Sequence, residues 1–597
     1  MFLPKYRIHS RKSIEKFVKL NFLSVLLYLK MLQFLFFFCD TITEPFSMRK
    51  KLYFIPFLCC FPYAIAAQVW QPTGFFAPSP SSLSIDSGAS SFQNDSYVYL
   101  SPNWNYKKGK AGFSISLPLN VLLYDPEPKL ANSKPGQLRY FDYDSTQDRF
   151  RVINYVAYGR YGEVIPGKVT ASFYAGRLQD GRIGHGSIVN RYINNPRADE
   201  YNVGVQADLN SDYGGLQVFS NSLYSNNVTA VRGYVRPLAI GEFFYRLSRG
   251  NRSVEDSISM NAINKTVEQE LGGITVEEEL KHKEKNPDGP KKQTTINAPT
   301  YRFGRDSMGD YSGNDPWYNR LSIGYTISFD GKAPRYLQYN TLGSPVIDSD
   351  RSPVPRSTNR LQITGIDFEY RLLNLPFFEL APYIDINRIS IVNNTDPLLG
   401  ASFLKPYSAT GTHYGAIIRI GNPRFHLIWK PELRRSDANY IPMYFDSFYE
   451  VERTQSRFNQ VGSPTKLADA EQIPRNAPRA TSIFHSAQLN LYSISFEFAY
   501  EDLPGKNNSR VFFGSFIPLG SNFLLSFYFT KKGFDGINQA FNLTPKENSF
   551  GSVELSWALG PIQVRLQNLR RYFFNEDLKQ FTTQDEPRVF ISSSILF

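Results

Sequence analysis

Cysteine is absent from most of this chain. All three, Cys39, Cys59 and Cys60, fall in the first 67 of 597 residues, so the remainder has no disulfide, no thiol nucleophile and no Cys-ligated metal. Histidine is nearly as scarce. His185, His282, His413, His426 and His485 follow that point, none at metal-ligand spacing, so neither a metal nor a cofactor is expected. Also missing after Ala67 is any run of the about 20 apolar residues that a membrane-crossing helix needs, and mean hydropathy is -0.33. Strong charge is lacking too. Residues 1–67 hold 10 Lys and Arg against 3 Asp and Glu, which is +7 of the formal +12 and leaves +5 beyond them, too little to suggest nucleic-acid binding.

Aromatic residues, by contrast, make up 15% of the chain, with 37 Tyr and 48 Phe. From about Ser96 onward the sequence is a series of short alternating runs separated by turn residues, with no amphipathic helix of convincing length. Val553, Leu555, Trp557 and Leu559 alternate with Ser552, Glu554, Ser556 and Ala558; after Gly560-Pro561 the chain returns through Ile562, Val564 and Leu566, alternating with Gln563 and Arg565. A second hairpin turns at Gly421-Asn422-Pro423, between Tyr414, Ala416, Ile418 and Ile420 and the run Phe425, Leu427 and Trp429. In a third, Ile366, Phe368 and Tyr370 alternate with Asp367, Glu369 and Arg371 before Phe378, Leu380, Ile384 and Ile386. Leu361 and Ile363 have the opposite parity, which predicts a bulge at Gly365.

Short turns at 374–376, 421–423, 518–521 and 560–561 alternate with long polar segments at 331–358, 391–410, 435–480 and 532–548. Counted back from the C-terminus, the short turns share one side and the long segments the other. Residues 107–110 and 125–149 do not fit this phase cleanly. The pattern predicts an all-β fold: a transmembrane antiparallel β-barrel of about 18–22 strands, even in number, with short periplasmic turns and long outer loops. Residues 250–318, including the charge run Val276 to Lys285, are expected to form the largest of those loops.

The chain ends Val589-Phe590-Ile591-Ser592-Ser593-Ser594-Ile595-Leu596-Phe597. A terminal aromatic behind alternating apolar residues resembles the C-terminal signature of Gram-negative outer-membrane β-barrels. The resemblance implies that Ile591, Ile595 and Phe597 act as the signal read by the barrel assembly machinery, and that the protein resides among the lipids of a Gram-negative-type outer membrane. Residues 48–67 have the order of a secretory signal peptide: Met48, basic Arg49-Lys50-Lys51, apolar Leu52 to Phe61, then Ala64-Ile65-Ala66-Ala67. Residues 1–47 then become an over-extended start, the rival being a true N-terminal helix over Leu20 to Phe38. Residues 68–95, rich in Ser and Pro, form a flexible periplasmic lead-in, and 96–597 the barrel.

On the polar faces stand Asp367, Glu369, Arg371, Glu379, Asp385, Arg419, Lys430, Glu432, Arg434, Glu554 and Arg565, the candidate lumen lining. Mixed signs suit a porin-like channel that passes or binds small polar solutes with weak charge preference. No separate plug domain is evident, although part of 250–318, folded inward, would narrow the pore. His413 and His426 share a hairpin and would approach as polar lining. One alternative is a hydrolase. Gly184-His185-Gly186-Ser187 resembles the His-x-Ser-Asn element of outer-membrane phospholipases and lipid A deacylases, which would make His185 the base and Ser187 the nucleophile. Here Ile188 replaces the Asn, and glycines on both sides of His185 indicate a special loop instead, so no enzyme is expected. The other alternative is a surface adhesin using the aromatic stretch Tyr440 to Tyr449, whose rings are otherwise expected to pack an outer loop over the barrel mouth. Neither the solute nor the oligomeric state can be read from the sequence.

Overall fold

Alternation builds this molecule from its first strand. In β1 (Ser82–Phe92) Ser82, Ser84 and Asp86 are buried while Leu83 and Ile85 are exposed, because successive side chains of a strand point to opposite faces. The computed structural model describes residues 81–597 except 93, 127–133, 164–167, 250–316, 349–350, 376, 392–406, 422–424, 458–461, 474–477, 493, 504–506, 520–521, 543–545, 560–561, 576 and 597. The signal peptide, the segment before it, all three cysteines, His282, the charge run 276–285 and Phe597 lie outside the described residues.

The chain continues through β2 (Asp95–Lys108), β3 (Ala111–Ser116), β4 (Leu119–Tyr124), β5 (Ile153–Tyr158), β6 (Thr170–Gly176), β7 (Gly204–Asn210), β8 (Gly214–Ser220) and β9 (Val228–Val235) to the helix α1 (Pro237–Arg249). Then come β10 (Leu321–Leu337), β11 (Pro355–Tyr370), β12 (Leu373–Leu375), β13 (Phe378–Ile391), β14 (Ser408–Gly421) and β15 (Phe425–Ser436). After the short helices α2 (Tyr449–Glu452) and α3 (Lys466–Gln472) follow β16 (Ala480–Leu491), β17 (Ile494–Asp502), β18 (Ser509–Leu519), β19 (Phe523–Phe534), β20 (Ser549–Leu559), β21 (Ile562–Asn575) and β22 (Gln580–Leu596). All pairings between these strands are antiparallel. β3 and β4 both pair with β2 and form one interrupted stave, as β11 and β12 do against β13, so the ring has 20 staves. It closes where β22 meets β1, with Ser82 opposite Leu596 and Ser90 opposite Arg588. Closure removes both sheet edges. The even count within 18–22 is as the alternation predicts.

Outside, the staves present Leu83, Trp104, Ile386, Tyr414, Trp429, Leu566, Val589 and Ile595, all exposed; inside, they bury Asp86, Asp367, Glu369, Arg434, Glu554 and Arg565. This is an inverted globule, stable only where its exterior meets hydrocarbon. The aromatic rings of the belt pair across strands, Phe523 stacking on Trp557 with centroids 5.5 Å apart. No helix among the described residues is long and apolar enough to cross a membrane. Crossing by a closed ring of strands is the architecture of bacterial outer membranes, and the protein is an outer-membrane β-barrel.

Both described ends, Ser82 and Leu596, lie at one end of the barrel, and the short turns expected at 374–376, 421–423, 518–521 and 560–561 share it. The long segments lie at the other end. Residues 109–110 and 125–152 also keep this phase, so the irregularity anticipated in the N-terminal half is not found. Three expectations need correction. β1 occupies much of the anticipated lead-in 68–95: its Ser-rich composition is that of a strand facing a polar interior. The large loop expected at 250–318 lies, but for its last two residues, outside the described residues; what is described of the connection from β9 to β10 begins with α1. An amphipathic helix does exist, α1, with Ile240, Phe243, Phe244 and Leu247 at helical spacing. And no bulge occurs at Gly365, where the register runs unbroken from Thr326 to Asn387.

Candidate functional site in the barrel interior

Two connecting segments turn inward instead of standing above the barrel. The first, 177–203, links β6 to β7; the second, 437–479, links β15 to β16. Each is too polar in backbone to be buried without partners, and they partner each other: Met443 N donates to Ser187 O (2.9 Å), Phe445 N to Ile188 O (3.2 Å) and Asn190 N to Phe445 O (3.1 Å). Gly181 and Tyr192 pair within the first segment. Together the segments bury Ile188, Val189, Tyr192, Phe445, Tyr449 and Leu467 against Phe219 of β8, Ala230 of β9, Leu361 and Ile363 of β11, and Ile389 of β13.

This core explains the parity change on β11. Leu361 and Ile363 share the inward face with Asp367 and Glu369; the inward face is apolar where it meets the inserted segments, and the outward face is apolar where it meets lipid. Gly365 stands where Ile188 approaches most closely: a Cβ there would lie 3.0 Å from Ile188 Cδ1 and 2.2 Å from Asn387 Oδ1. The aromatic stretch 440–449 therefore packs inside the barrel and not over its mouth, with Tyr444, Phe445, Phe448 and Tyr449 essentially inaccessible.

Ionic contacts tie both segments to the wall. His185 Nδ1 is 2.7 Å from Asp385 Oδ1 and its Nε2 is 2.8 Å from Glu369 Oε2. The ring stacks on Tyr383 at 4.1 Å, and Lys430 Nζ donates to the His185 carbonyl. Burial opposes a charge on His185, but the Asp385 and Glu369 carboxylates outweigh it and lift the pKa to about 10. Carboxylates at both nitrogens make this ring an imidazolium that donates twice, so it has no lone pair for Ser187. The hydrolase geometry is not formed, and Gly184 and Gly186, at φ +56° and +80°, hold a loop in the left-handed region.

Further ties distribute around the ring. Arg191 Nη2 reaches Glu497 Oε1 of β17 (2.5 Å), Arg453 Nε reaches Asp330 Oδ2 of β10 (2.8 Å), and Arg510 Nη1 of β18 reaches Asp446 Oδ2 (2.8 Å). Burial favours the neutral form of Asp446, but Lys466, Lys532 and Arg510 hold its carboxyl below the usual range.

All eleven candidate lumen residues point inward and are buried. Many of them form the bed on which the inserted segments rest or pair with one another. Asp367 takes Arg232 (2.6 Å), Glu379 takes Arg371 (3.4 Å) and Arg419 (2.5 Å), and Arg434 bridges Glu432 and Glu501. Glu554 accepts from Ser556 and Gln567, both at 2.8 Å. His413 pairs with Glu432 (2.9 Å) opposite Arg434, far along the hairpin from His426 opposite Gly421, so the two histidines do not meet.

Of the eleven, Arg565 lines an interior cavity of ≈ 290 Å³ bounded by the staves β1–β7 and β19–β22 on one side and by the first inserted segment on the other. Its wall includes Arg139, Arg151, Arg177, Arg571 and Arg588, with Tyr97, Tyr99, Tyr155, Tyr174, Tyr201 and Tyr528. Arg571 and Arg588 share Glu586, while Arg177 lies 5.6 Å over the Tyr201 ring and has no carboxylate partner among the described residues. Arg571 and Arg588 were accessible to sequence reasoning, since each continues the inward alternation of its strand from Arg565 and Phe590. Arg177 was not, because it belongs to a loop whose inward fold leaves no local periodicity.

No protein-family model and no curated protein matches the chain. Among solved structures, OccK8 (OprE) of Pseudomonas aeruginosa is 11% identical over 88% of this chain and 100% of its own, with a TM-score of 0.26. OpdK of the same species, solved with vanillate, is 8% identical over 88% and 100%, with a TM-score of 0.27. CdiB of Acinetobacter baumannii is 7% identical over 87% of this chain, with a TM-score of 0.23; the chain spans 61% of its length. At these scores the reading of this chain rests on its own geometry.

Proposed function

We propose that the protein is a porin-like channel for passive passage of small polar solutes across the outer membrane, with a preference for anions. The observation that carries this is the off-centre cavity: the inserted segments pack on β8–β13 and on parts of β20–β22, and leave a polar space against β1–β7 and β19–β22. Six guanidinium groups, Arg139, Arg151, Arg177, Arg565, Arg571 and Arg588, line that space against four carboxylates, Asp86, Asp142, Asp180 and Glu586, and Arg571 and Arg588 share the last of these. A cationic excess in a narrow, low-dielectric passage lowers the cost of entry for an anion and raises it for a cation. Tyrosine rings beside the arginines offer flat surfaces and hydroxyl donors to an organic solute. In the same reading, the signal peptide 48–67 directs export, and the outward Ile591 and Ile595 with Phe597 are what the assembly machinery engages.

Planar bilayers test the proposal. Purified protein is expected to give discrete conductance steps, and a KCl gradient is expected to give a reversal potential of the sign set by chloride. Absence of discrete steps from folded, heat-modifiable protein would remove the channel reading; a cation-selective reversal potential would remove the anion preference.

A further inference from the structure

The outer surface of the barrel carries a charge pattern that the interior does not explain. On β13 the outward series runs Ile384, Ile386 and then Arg388; on β15 it runs Trp429, Leu433 and then Arg435. On β11 it passes Phe368 and Ile366, then Thr364 and Gln362, and reaches Arg360, while ahead of β16 Ile483 and Thr481 are preceded by Arg479. The register sets these positions side by side. Thr364 faces Arg388, Arg388 faces Thr410, Thr412 faces Arg435 and Arg435 faces Thr481. Each arginine thus lies at or just beyond the edge of the lipid belt, at the end of the barrel opposite the termini.

Among the described residues, no carboxylate pairs with Arg360, Arg388 or Arg435. The carboxylates of the same strands, Asp367, Glu369, Asp385 and Glu432, all point inward and are buried. Among the described residues the outward acid here is Asp437, which takes Arg479 (3.4 Å) and Thr410. The Arg388 Nε donates to Ser408 Oγ (3.0 Å) and the Arg360 guanidinium lies 4.8 Å over the Phe329 ring; neither group has a carboxylate partner among the described residues, and nor has Arg435. At the opposite edge of the belt the described exposed residues of these staves are Tyr370, Ile420, Phe425 and Tyr492, with no charge among them. The asymmetry matches a bilayer whose two headgroup layers differ in charge.

We propose that this face of β11–β16 binds a multiply phosphorylated glycolipid of the outer leaflet, its acyl chains on the belt and its phosphates on Arg360, Arg388 and Arg435. Planar guanidinium groups take phosphate oxygens in pairs, and every cation in the row is arginine. Ser408, exposed between the arginines, adds a hydroxyl donor. Across the staves, Arg360 to Arg435 spans three spacings, about 14 Å at roughly 4.8 Å per stave. That is wider than one phosphate, which selects a headgroup with at least two. Continuity with the hydrocarbon belt selects a lipid over a free anion.

The test uses the full-length protein in detergent, titrated with bisphosphorylated lipid A, with the same lipid dephosphorylated, and with phosphatidylglycerol, read by native mass spectrometry. The wild type is expected to retain bisphosphorylated lipid A at least about tenfold more tightly than either of the others. Replacing Arg360→Gln, Arg388→Gln and Arg435→Gln together is expected to weaken retention by about 100-fold, at about fivefold for each cation lost at a membrane surface, and the corresponding Lys variant is expected to lose less. Equal retention of lipid A with and without phosphate, equal retention of phosphatidylglycerol, or an undiminished triple variant would each overturn the proposal. The lipid comparison on the wild type stands even where the triple variant does not fold. Bilayer conductance of the triple variant should be unchanged, so failure of the channel reading would leave this one intact.

Discussion

His185 and Asp385 are 200 residues apart in the chain and 2.7 Å apart in the barrel, Nδ1 of the one donating to Oδ1 of the other. That contact, with Glu369 at the second ring nitrogen, pins the turn of the first inserted segment to two adjacent staves. The ion pair does here what a linker to a separate plug would do elsewhere, holding part of the chain inside its own pore.

Removing this anchor leaves two buried carboxylates facing each other. His185→Gln is expected to cost about 3–5 kcal/mol, the usual loss when one partner of a buried pair is deleted. Its signs would be a lower temperature of the heat-modifiable gel shift and a larger or noisier single-channel conductance. Unchanged conductance and gel shift would show that the anchor does not hold the segment in place.

The same contact has a pH signature of known sign. The folded-state pKa of His185 is raised from near 6.5 to about 10, so its stabilisation is fully present below about 6.5 and is lost as pH rises through about 10. Conductance of the wild type is expected to be steady from pH 6 to 8 and to rise towards pH 10, while the His185→Gln channel lacks that component. A step common to both proteins would assign it to other groups.

Gly365 tests the packing of the same segment without touching charge. In Gly365→Val the new side chain meets Ile188 and the Asn387 amide, and overpacking of this kind costs about 1–3 kcal/mol. Protease sensitivity at 177–203 in the folded barrel should increase. A folded variant with wild-type resistance would contradict the close approach.

On the proposed function, Arg177 is expected to set part of the charge preference of the passage. Arg177→Glu exchanges a cation for an anion beside Arg571 and is expected to shift the anion-to-cation permeability ratio by roughly threefold to tenfold towards cations. The reversal potential in a salt gradient is the direct measurement.

Depth along the outward face makes the last prediction. Leu566→Arg places a charge in the lipid belt of β21 and is expected to cost about 2–4 kcal/mol in a vesicle folding titration. Thr364→Arg, in the polar outer rim of β11, should cost far less.

Much of the wall was readable without coordinates. Val553 to Leu559 and Ile562 to Leu566 alternate because one face meets lipid and the other does not, and that alternation with the phase of the turns at 421–423 and 560–561 leads to a closed barrel of even strand number. The interior was readable only as a direction. Glu369, Asp385 and Arg434 point inward as their parity says, yet parity does not tell water from protein, and these residues lie under inserted chain. One trace of that chain was present in the sequence: the inward apolar pair Leu361 and Ile363, which local reasoning assigned to a bulge at Gly365.

What the sequence by itself determined is therefore whatever depends on neighbours along a strand: the β class, the lipid-facing belt and the inward set of charges, all products of the period of two. What only the tertiary structure decided is where 177–203 and 437–479 go, and hence where the passage runs and that Arg177, not Glu369, borders it. Those choices rest on contacts between segments 200 and more residues apart, such as His185 with Asp385 and Val189 with Phe445, whose energies appear only once the barrel has closed around them.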